Sequence, residues 1–282
     1  MTTTYGCLSD IHAGSTMAGC LKAVQLDDGG WYEPSAIQEY INTRLRRFAD
    51  ACAAARREKF VLVLNGDLTD GQIKESGQVA SSHPHTEFAI LKDILDLFVA
   101  LKPDAVIVTR GTGAHVGKSG HKDEAAAHYL AKECGLAVLR SPDTGRYSSY
   151  QSTTEPEGHL VYVKHHGKAG SVSWSNVASN RAFHIWSQHV LRGLRPPTIV
   201  LQGHNHKFDD SWWKHPTRVV QQASFQLKTD HAWKVVPDEL NDLGGVIMQF
   251  ARDTRPEVTA IVYPPDPPKP MPFPWLTQAG AE

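Results

Sequence analysis

The stretch FVLVLNGDLTD, residues 60–70, joins an apolar run to a polar cluster that contains two carboxylates. The run is short and rich in branched and aromatic residues, which predicts a buried β-strand. Gly66, Asp67 and Asp70 follow directly after it. In open α/β sheets, ligands bind beyond the carboxyl ends of the strands. A strand that ends in such a cluster therefore favours an α/β fold with a site at this edge.

The same pattern recurs along the chain, and helical segments separate its copies. Apolar runs lead into polar clusters at 5–12, 105–115, 160–167 and 198–206. Apolar residues at three-to-four spacing predict helices at 35–57, 86–101, 123–134 and 179–194. This alternation predicts crossover connections and a largely parallel core sheet. Three later β-type runs, at 218–225, 245–250 and 258–263, are predicted to form a second sheet packed on the first.

Composition limits the classes of protein that this chain can be. With 282 residues, of which 41% are apolar, it can bury a large core, and we expect one domain over residues 1–263. The net charge of -1 gives no overall attraction to nucleic acid or to an anionic membrane. Residues 264–282 begin with a proline-dense stretch and are predicted to be an extended tail.

The prediction of a location in the cell rests on features that the sequence lacks. The first residues show neither a basic nor an apolar targeting segment, and no apolar run of about 18 residues is present that could span a bilayer. The four cysteines contain no CxxC pair, which favours free thiols over a disulfide framework. We therefore expect a cytoplasmic protein without membrane contact.

The polar clusters offer the donor atoms of a metal site. The chain has 15 histidines, and several lie at the predicted strand ends together with aspartates. Carboxylate oxygens and imidazole nitrogens together suit two divalent ions, with Mn²⁺ favoured and Fe²⁺, Zn²⁺ or Ni²⁺ as alternatives. A carboxylate such as Asp67 can bridge two ions ~3.5–4 Å apart, and a water held between them becomes hydroxide near neutral pH.

Four of these clusters resemble the motifs of the calcineurin-like metallophosphoesterase superfamily, in the same order and across residues 5–206. The matching segments are Asp10-Ile11-His12, Gly66-Asp67-Leu68-Thr69-Asp70, His165-His166 and Gly203-His204-Asn205-His206. The resemblance implies a four-layer αββα sandwich with two packed mixed β-sheets flanked by helices. It also implies one metal on Asp10, His12 and His206, a bridge at Asp67, and a second metal on His204 and one histidine of the 165–166 pair.

The third motif departs from the family pattern. The family has Gly-Asn-His, whereas this chain has Gly111-Thr112-Gly113-Ala114-His115. Thr112 takes the place of the missing amide ligand if the register is kept from Gly111. Alternatively the loop bulges, and His115 either binds the second metal or contacts the substrate and leaving group. We favour the substrate role for His115, and we predict that it is catalytic together with Asp70.

The family resemblance implies hydrolysis of phosphate esters by a bridging hydroxide, and leaves phosphatase and phosphodiesterase activity both open. Arg110 and His121 are candidate phosphate contacts, although a strand-end arginine is as often a structural ion-pair partner. The near-zero charge does not decide the substrate class; we expect a phosphorylated small molecule or nucleotide, with DNA cleavage by a nuclease as an alternative. A different class is also open, namely a metal-binding or assembly module impaired in catalysis. The oligomeric state is not predicted.

Overall fold

A computed structural model describes residues 1–71, 77–81, 83–167, 177–235 and 240–263. The strands are β1 (Thr2–Leu8), β2 (Val24–Gln25), β3 (Trp31–Tyr32), β4 (Lys59–Asn65), β5 (Ala105–Thr109), β6 (Ser148–Ser149), β7 (Gln151–Thr154), β8 (Val161–Lys164), β9 (Ile199–Gln202), β10 (Asp209–Asp210), β11 (Arg218–Gln221), β12 (Leu243–Ala251) and β13 (Glu257–Tyr263). The α-helices are α1 (Ala36–Ala55), α2 (Pro84–Val99), α3 (Gly113–Val116), α4 (His121–Lys132), α5 (Val177–Leu191) and α6 (Asp230–Val235), with a 3₁₀ turn at Pro156–Gly158.

Two large mixed sheets hold most of these strands. The first sheet has the order β13-β12-β1-β4-β5-β6, and the second has the order β10-β11-β9-β8-β7. In the first sheet β1, β4, β5 and β6 run parallel, while β12 is antiparallel to β1 and β13 to β12. In the second sheet β8, β9 and β11 run parallel, and β7 and β10 pair with them antiparallel at the edges. The parallel strands of each sheet therefore end at a shared edge.

Strand β4 shows how the layers form on the two faces of one sheet. Phe60, Leu62 and Leu64 point to one face, where they pack in a core with buried residues of α1, α2 and α4. Val61 and Val63 point to the other face, and they pack against β8, β9 and β11 of the second sheet. This alternation follows from the two-residue period of a strand. One strand thus belongs to two separate cores.

Helix α5 covers the outer face of the second sheet. Its Ala178 and Ala182 pack against Val200 of β9 and Val219 of β11 in a small separate core. Small alanine side chains let the helix lie close to the sheet. The layers are therefore helix, sheet, sheet and helix, and the predicted αββα sandwich is confirmed.

The assignment of strands to sheets differs from the prediction. The five repeated strands do not form one sheet, because β1, β4 and β5 lie in the first and β8 and β9 in the second. The later runs are also divided between the sheets: β12 and β13 extend the first beside β1, and β11 lies beside β9. An apolar run that is buried on both faces fits any central position, so its residues do not specify its partner strand.

The four predicted helices correspond to α1, α2, α4 and α5 within two or three residues at each end, whereas the short helices α3 and α6 were not predicted. A capping box stands at the start of α1: the Gln38 backbone N–H donates to the Ser35 hydroxyl at 3.3 Å, and the Ser35 N–H donates to the Gln38 side chain at 3.1 Å. This pair satisfies two donors that the first helical turn leaves without partners. The local signal at residue 35 therefore sets where α1 begins.

The segment between residues 13 and 34 is partly buried against the helices. Asn42 of α1 accepts a hydrogen bond from the Cys20 N–H at 2.9 Å and donates one to the Cys20 carbonyl at 2.6 Å. Val24 of β2 belongs to the core beneath α1 and α2. The predicted tail at 264–282 lies outside the described residues, and the single-domain boundary stays a prediction. Among the described helices, none has the length and apolar character needed to cross a bilayer.

Candidate dinuclear metal centre

The loops that follow the strands have an unusual backbone conformation at the predicted ligands. Asp10, His12, Asp67, His204 and His206 all have positive φ, between 49° and 79°. Each such residue other than glycine costs about 1–3 kcal/mol and persists where the surrounding structure holds it. The loops also hold each other, because the N–H groups of Asp10 and His12 each donate at 3.0 Å to the loop after β4. These turns direct the ligand side chains that follow the strands of both sheets toward a common site.

The first group of donors consists of Asp10, His12 and His206. The Asp10 Oδ1 atom lies 3.2 Å from Nε2 of His206 and 3.8 Å from Nε2 of His12, and the two Nε2 atoms are 3.0 Å apart. Nδ1 of His12 lies 3.1 Å from Oδ1 of Asp70. When Nδ1 donates its proton to that carboxylate, Nε2 of His12 presents a lone pair to the group.

The second group consists of Asp67, His165 and His204. Nδ1 of His165 donates to the Asn65 carbonyl at 2.7 Å, which leaves Nε2 free at 2.9 Å from Oδ2 of Asp67. Three donor atoms, one from each residue of the group, lie within 4.8 Å of one another. The first sheet supplies Asp10, His12 and Asp67, and the second sheet supplies His165, His204 and His206. The centre therefore lies between the sheets.

The donor atoms fit divalent cations. Oδ1 of Asp10 is buried and makes no hydrogen bond within the described part of the chain, although its neighbours are imidazole nitrogens. Burial opposes protonation of His12, but Asp10 and Asp70 raise its pKa to about 10. Burial would raise the pKa of Asp67, but His165 lowers it to about 2. The group thus favours a positive charge between its donor atoms, and carboxylate with imidazole suits a transition metal.

Two glycines allow the loops to approach this closely. A Cβ on Gly111 would lie 2.0 Å from Oδ1 of Asp67, and a Cβ on Gly203 would lie 2.0 Å from Oγ of Ser9. Such distances leave no room for any side chain. The third and last motifs therefore need glycine at these positions so that the loops can pack against Asp67 and Asp10.

In the third motif, Thr112 and His115 face different donor groups. The Thr112 N–H donates to Oδ1 of Asp67 at 2.5 Å, and its Oγ1 lies 3.1 Å from Nδ1 of His204 and 3.5 Å from Nε2 of His165. The ring of His115 instead meets the ring of His12 edge to face, with centroids 4.5 Å apart. Thr112 thus lies where the missing amide is expected, whereas His115 lies beside the first group.

The ring of His115 is held by a backbone carbonyl from another loop and faces a cleft. Its Nδ1 lies 2.5 Å from the carbonyl of Asp70, so that Nδ1 donates and Nε2 has a lone pair. Burial, and then the charge of His12, lowers the pKa of His115 below its usual value. The free side chain is therefore neutral near pH 7. An approaching phosphate anion favours its protonated form.

Asp123 supports the site, and the sequence analysis did not identify it. It lies in the first turn of α4, fully buried, and accepts hydrogen bonds from the N–H groups of Gly111 at 2.8 Å and Leu68 at 3.3 Å. Burial raises its pKa to about 7, and the charge of Asp67 adds to this shift. The two loops on either side of Asp67 are thus tied to one carboxylate. An acidic residue in a first helical turn is common, so the sequence carries no signal for this role.

Two of the predicted site residues, His166 and Arg110, lie away from the donor atoms. His166 is exposed, with its ring centroid 5.1 Å from that of His165, and it belongs to neither donor group. Arg110 does not reach the centre, because its guanidinium donates to Ser148 at 2.9 and 3.2 Å and lies 3.7 Å from Glu124. These contacts favour the structural role of Arg110 over a phosphate contact, because a buried guanidinium needs hydrogen-bond partners within the protein.

His121 also lies apart from the donor groups. It begins α4, and its ring packs over Gly117, where an added Cβ would come within 2.1 Å of it. It lines neither the donor groups nor the cleft beside them. The prediction of His121 as a substrate contact is therefore corrected, because the left-handed turn at Gly117 folds the histidine back onto its own loop.

Asp70 lies behind His12 rather than among the donor atoms. Besides Nδ1 of His12, it accepts a hydrogen bond from the Gln226 side chain at 3.1 Å. Burial would raise the pKa of Asp70, but the bond to His12 lowers it. A carboxylate in this place fixes the tautomer and the ring orientation of a metal-binding histidine. Its position supports a role in orienting His12 in place of the predicted catalytic role.

We expect Asp70→Ala to lower the affinity for the first cation by about 10–100-fold, the usual cost of losing such a partner. Titration of the metal-free protein with Mn²⁺, followed by calorimetry, measures this. Asp70→Asn keeps an acceptor oxygen for His12, so its loss should be smaller. Equal affinity in wild-type protein and Asp70→Ala would contradict the orienting role.

A cleft of about 430 Å³ opens beside the first donor group. His12, His115, His204 and His206 line one side of it, and helix α6 lines the other with Ala232 and Val235. No residue of the 13–34 segment lines it. The volume is in the range of pockets for small organic molecules. The donor groups are therefore accessible to a ligand of limited size.

Solved structures of similar fold are found at low sequence identity. No family model and no curated protein matches the chain. Among solved structures, an archaeal phosphodiesterase has a TM-score of 0.43 and 11% identity, with 93% of this chain and 100% of that one covered. Vps29 from Entamoeba histolytica with Zn²⁺ has a TM-score of 0.41 and 9% identity, with 93% and 99% covered.

A 5'-nucleotidase precursor from Thermus thermophilus has a TM-score of 0.40 and 12% identity, with 93% of this chain and 54% of that one covered. All three TM-scores are low, and we base no functional conclusion on them. The site of this chain has to be judged on its own geometry.

Proposed function

We propose that this protein is a phosphoesterase that hydrolyses phosphate esters with the help of two divalent cations. The observation that carries this proposal is the convergence of Asp10, Asp67 and four imidazoles from two sheets, with a buried oxygen of Asp10 that has no hydrogen-bond partner among the described residues. A group of this kind is costly unless a cation satisfies it. Two carboxylates against two divalent ions leave the centre positive, which suits a phosphate anion.

The geometry supports a division of the ligands between two positions. Asp10, His12 and His206 would hold the first cation, and His165 and His204 the second, with Asp67 shared. Within the 165–166 pair, His165 is buried and His166 is exposed, which favours His165 as the ligand. When bound, such ions activate water and neutralise the charge that develops on the phosphoryl oxygens. We favour Mn²⁺ and a cytoplasmic location, as the sequence predicts.

The residues around the ions would orient the substrate and move a proton. The Thr112 hydroxyl faces the second position, where a neutral oxygen completes the ligand set less well than an amide. Nε2 of His115 would hold a proton when phosphate is bound and pass it to the leaving oxygen. Asp123 and Asp70 would keep Asp67 and His12 in place.

The proposal is tested by assaying metal-free and Mn²⁺-reconstituted protein side by side on a phosphomonoester, a phosphodiester and single-stranded DNA. We expect hydrolysis of at least one of the two small esters, and only with metal. Cleavage of DNA alone would make the protein a nuclease. Full metal loading with no hydrolysis of any of the three would contradict the proposal.

One observation favours a second candidate function, a metal-binding or assembly module impaired in catalysis. The ligand that the superfamily places in the third motif is replaced by Thr112, whose hydroxyl faces His204 and His165. A weakened second position would keep one ion bound and slow the reaction. The assay above separates the two functions.

The replacement of Thr112 by Asn is expected to strengthen the second cation position by about tenfold, because an amide oxygen is a better ligand than a neutral hydroxyl. The count of bound Mn²⁺ per chain at limiting metal measures this. Thr112→Val has nearly the same shape without the hydroxyl and should weaken the position. If Asn gives no gain and Val no loss, Thr112 does not contact the metal.

A further inference from the structure

We propose that the cleft beside the donor groups selects phosphate esters whose only charged group is the reacting phosphate and whose neighbouring group is neutral and partly apolar. This inference rests on the proposed function and adds the substrate class. It is drawn from the side chains that line the cleft opposite the histidines, and these take no part in holding the cations.

Apolar and small side chains form the far wall. Ala232 and Val235 of α6 face the cleft on one side, and Ala114 of α3 and Gly71 line it next to His115. Val235 is 62% exposed, which is high for a valine in a folded protein, so a bound organic group would remove apolar surface from water there. The wall therefore favours a carbon-rich substituent next to the phosphate.

Apart from Asp70 and the histidines, which include His231 of α6, the rest of the lining is polar and uncharged. Asn205, Gln226, Thr229 and Asn241 offer amide and hydroxyl groups to the cleft. The Asn205 amide also donates to Gln221 at 3.3 Å, and the Asn241 amide lies 3.2 Å from Nδ1 of His206. These groups suit the hydroxyl, ether or carbonyl groups of a small molecule. They give orientation without charge.

The decisive feature is that the described part of the lining holds neither lysine nor arginine, so that its basic side chains are histidines, with His231 of α6 on the far wall. Lys228, directly before Thr229, is only 6% exposed, and its Nζ lies 3.9 Å from the ring centroid of Trp233. Asp70 supplies the carboxylate of the lining and is already bonded to His12 and Gln226.

A substrate with further anionic groups would find neither lysine nor arginine for them among the described residues of this cleft. A polynucleotide backbone is normally held by lysine and arginine at its phosphates. An anion in a partly buried cleft without a cation loses hydration and gains no ion pair. Polynucleotides and nucleoside triphosphates are therefore disfavoured, and esters with one phosphate and a neutral aryl or nucleoside group are favoured.

The test measures binding to Mn²⁺-loaded protein, so that it does not depend on turnover. Phenylphosphonate and 4-carboxyphenylphosphonate have the same phosphonate group and differ by one carboxylate. We expect wild-type protein to bind phenylphosphonate at least about tenfold more tightly, because the added carboxylate is left unpaired in the cleft. Calorimetric titration gives both dissociation constants.

Val235→Lys is expected to reduce this preference to threefold or less, on the order of one surface ion pair, or to reverse it. Val235→Met, neutral and of similar length, should preserve the preference. Leu191→Lys adds the same charge on α5, at a residue that is 80% exposed and outside the cleft lining, and should also preserve it.

Two results would overturn the inference: equal affinity of wild-type protein for both phosphonates, or an unchanged preference in Val235→Lys when that variant binds Mn²⁺ normally. Failure of the proposed function looks different. In that case the phosphonates still bind with the expected preference, while no phosphate ester is hydrolysed in the presence of Mn²⁺.

Discussion

Asp67→Asn is expected to lose most of the bound metal and to lower hydrolysis by more than ~100-fold, since even a lost partner of a metal ligand costs 10–100-fold. Asp67 is the carboxylate that reaches both donor groups: one oxygen lies 2.9 Å from Nε2 of His165, and its neighbours include His12 and His115. An amide keeps the shape but loses the charge that two cations require. Elemental analysis of the purified variant after Mn²⁺ loading measures the metal per chain.

Asp50→Asn is a matched control for this change, because it removes one carboxylate from an exposed position of α1. It should keep full metal content and activity. Circular dichroism of both variants checks that the fold is retained. Full metal content in a folded Asp67→Asn protein would refute the shared-ligand assignment.

His115→Ala is expected to lower kcat by roughly 10²–10⁴-fold, the range for a lost general acid or base. The metal content should stay intact, because His115 is not needed to complete either proposed ligand set. The loss should be smallest on esters with a good leaving group such as nitrophenol, which leaves without a proton. Steady-state rates on an alkyl and a nitrophenyl ester, each in both proteins, measure the effect.

The exposed His184 of α5 provides a matched control, and His184→Ala should leave both rates unchanged. Suppose instead that His115→Ala loses one metal ion and is slowed equally on both esters. His115 would then be a metal ligand, and its place beside His12 and Asp67 would explain the loss.

The order of the strands and the identity of the ligand-bearing loops could be predicted from the sequence, because each loop directly follows an apolar run. Asp10, His12, Asp67, His204 and His206 were found in this way, and the structure brings them together. The motif pattern by itself did not distinguish His165 from His166. Adjacent residues on a strand end point to opposite sides, and only the packing of β8 determines which one is buried.

Residues that act through the backbone of another loop could not be predicted. Asp123 is 12 residues from Gly111 in the chain and 55 from Leu68, yet it binds the N–H groups of both. Arg110 shows the opposite case, since a basic residue at a strand end suggested a phosphate contact and burial gave it Ser148 and Glu124 instead. Side-chain direction depends on packing between distant segments, which spacing along the chain does not encode.

Because each sheet supplies three of the proposed ligands, the cations would join halves of the molecule that are otherwise held together by the apolar core between the sheets. The proposed ligands of the two sheets lie together in the folded chain, so the full site exists only when both sheets are in place. Ions that bind only the assembled form add to its stability, by about 2.7 kcal/mol when free metal is 100 times its dissociation constant. Loss of metal would then first weaken the contact between the two sheets. The supply of cations in the cell would in turn affect how long the protein resists proteolysis.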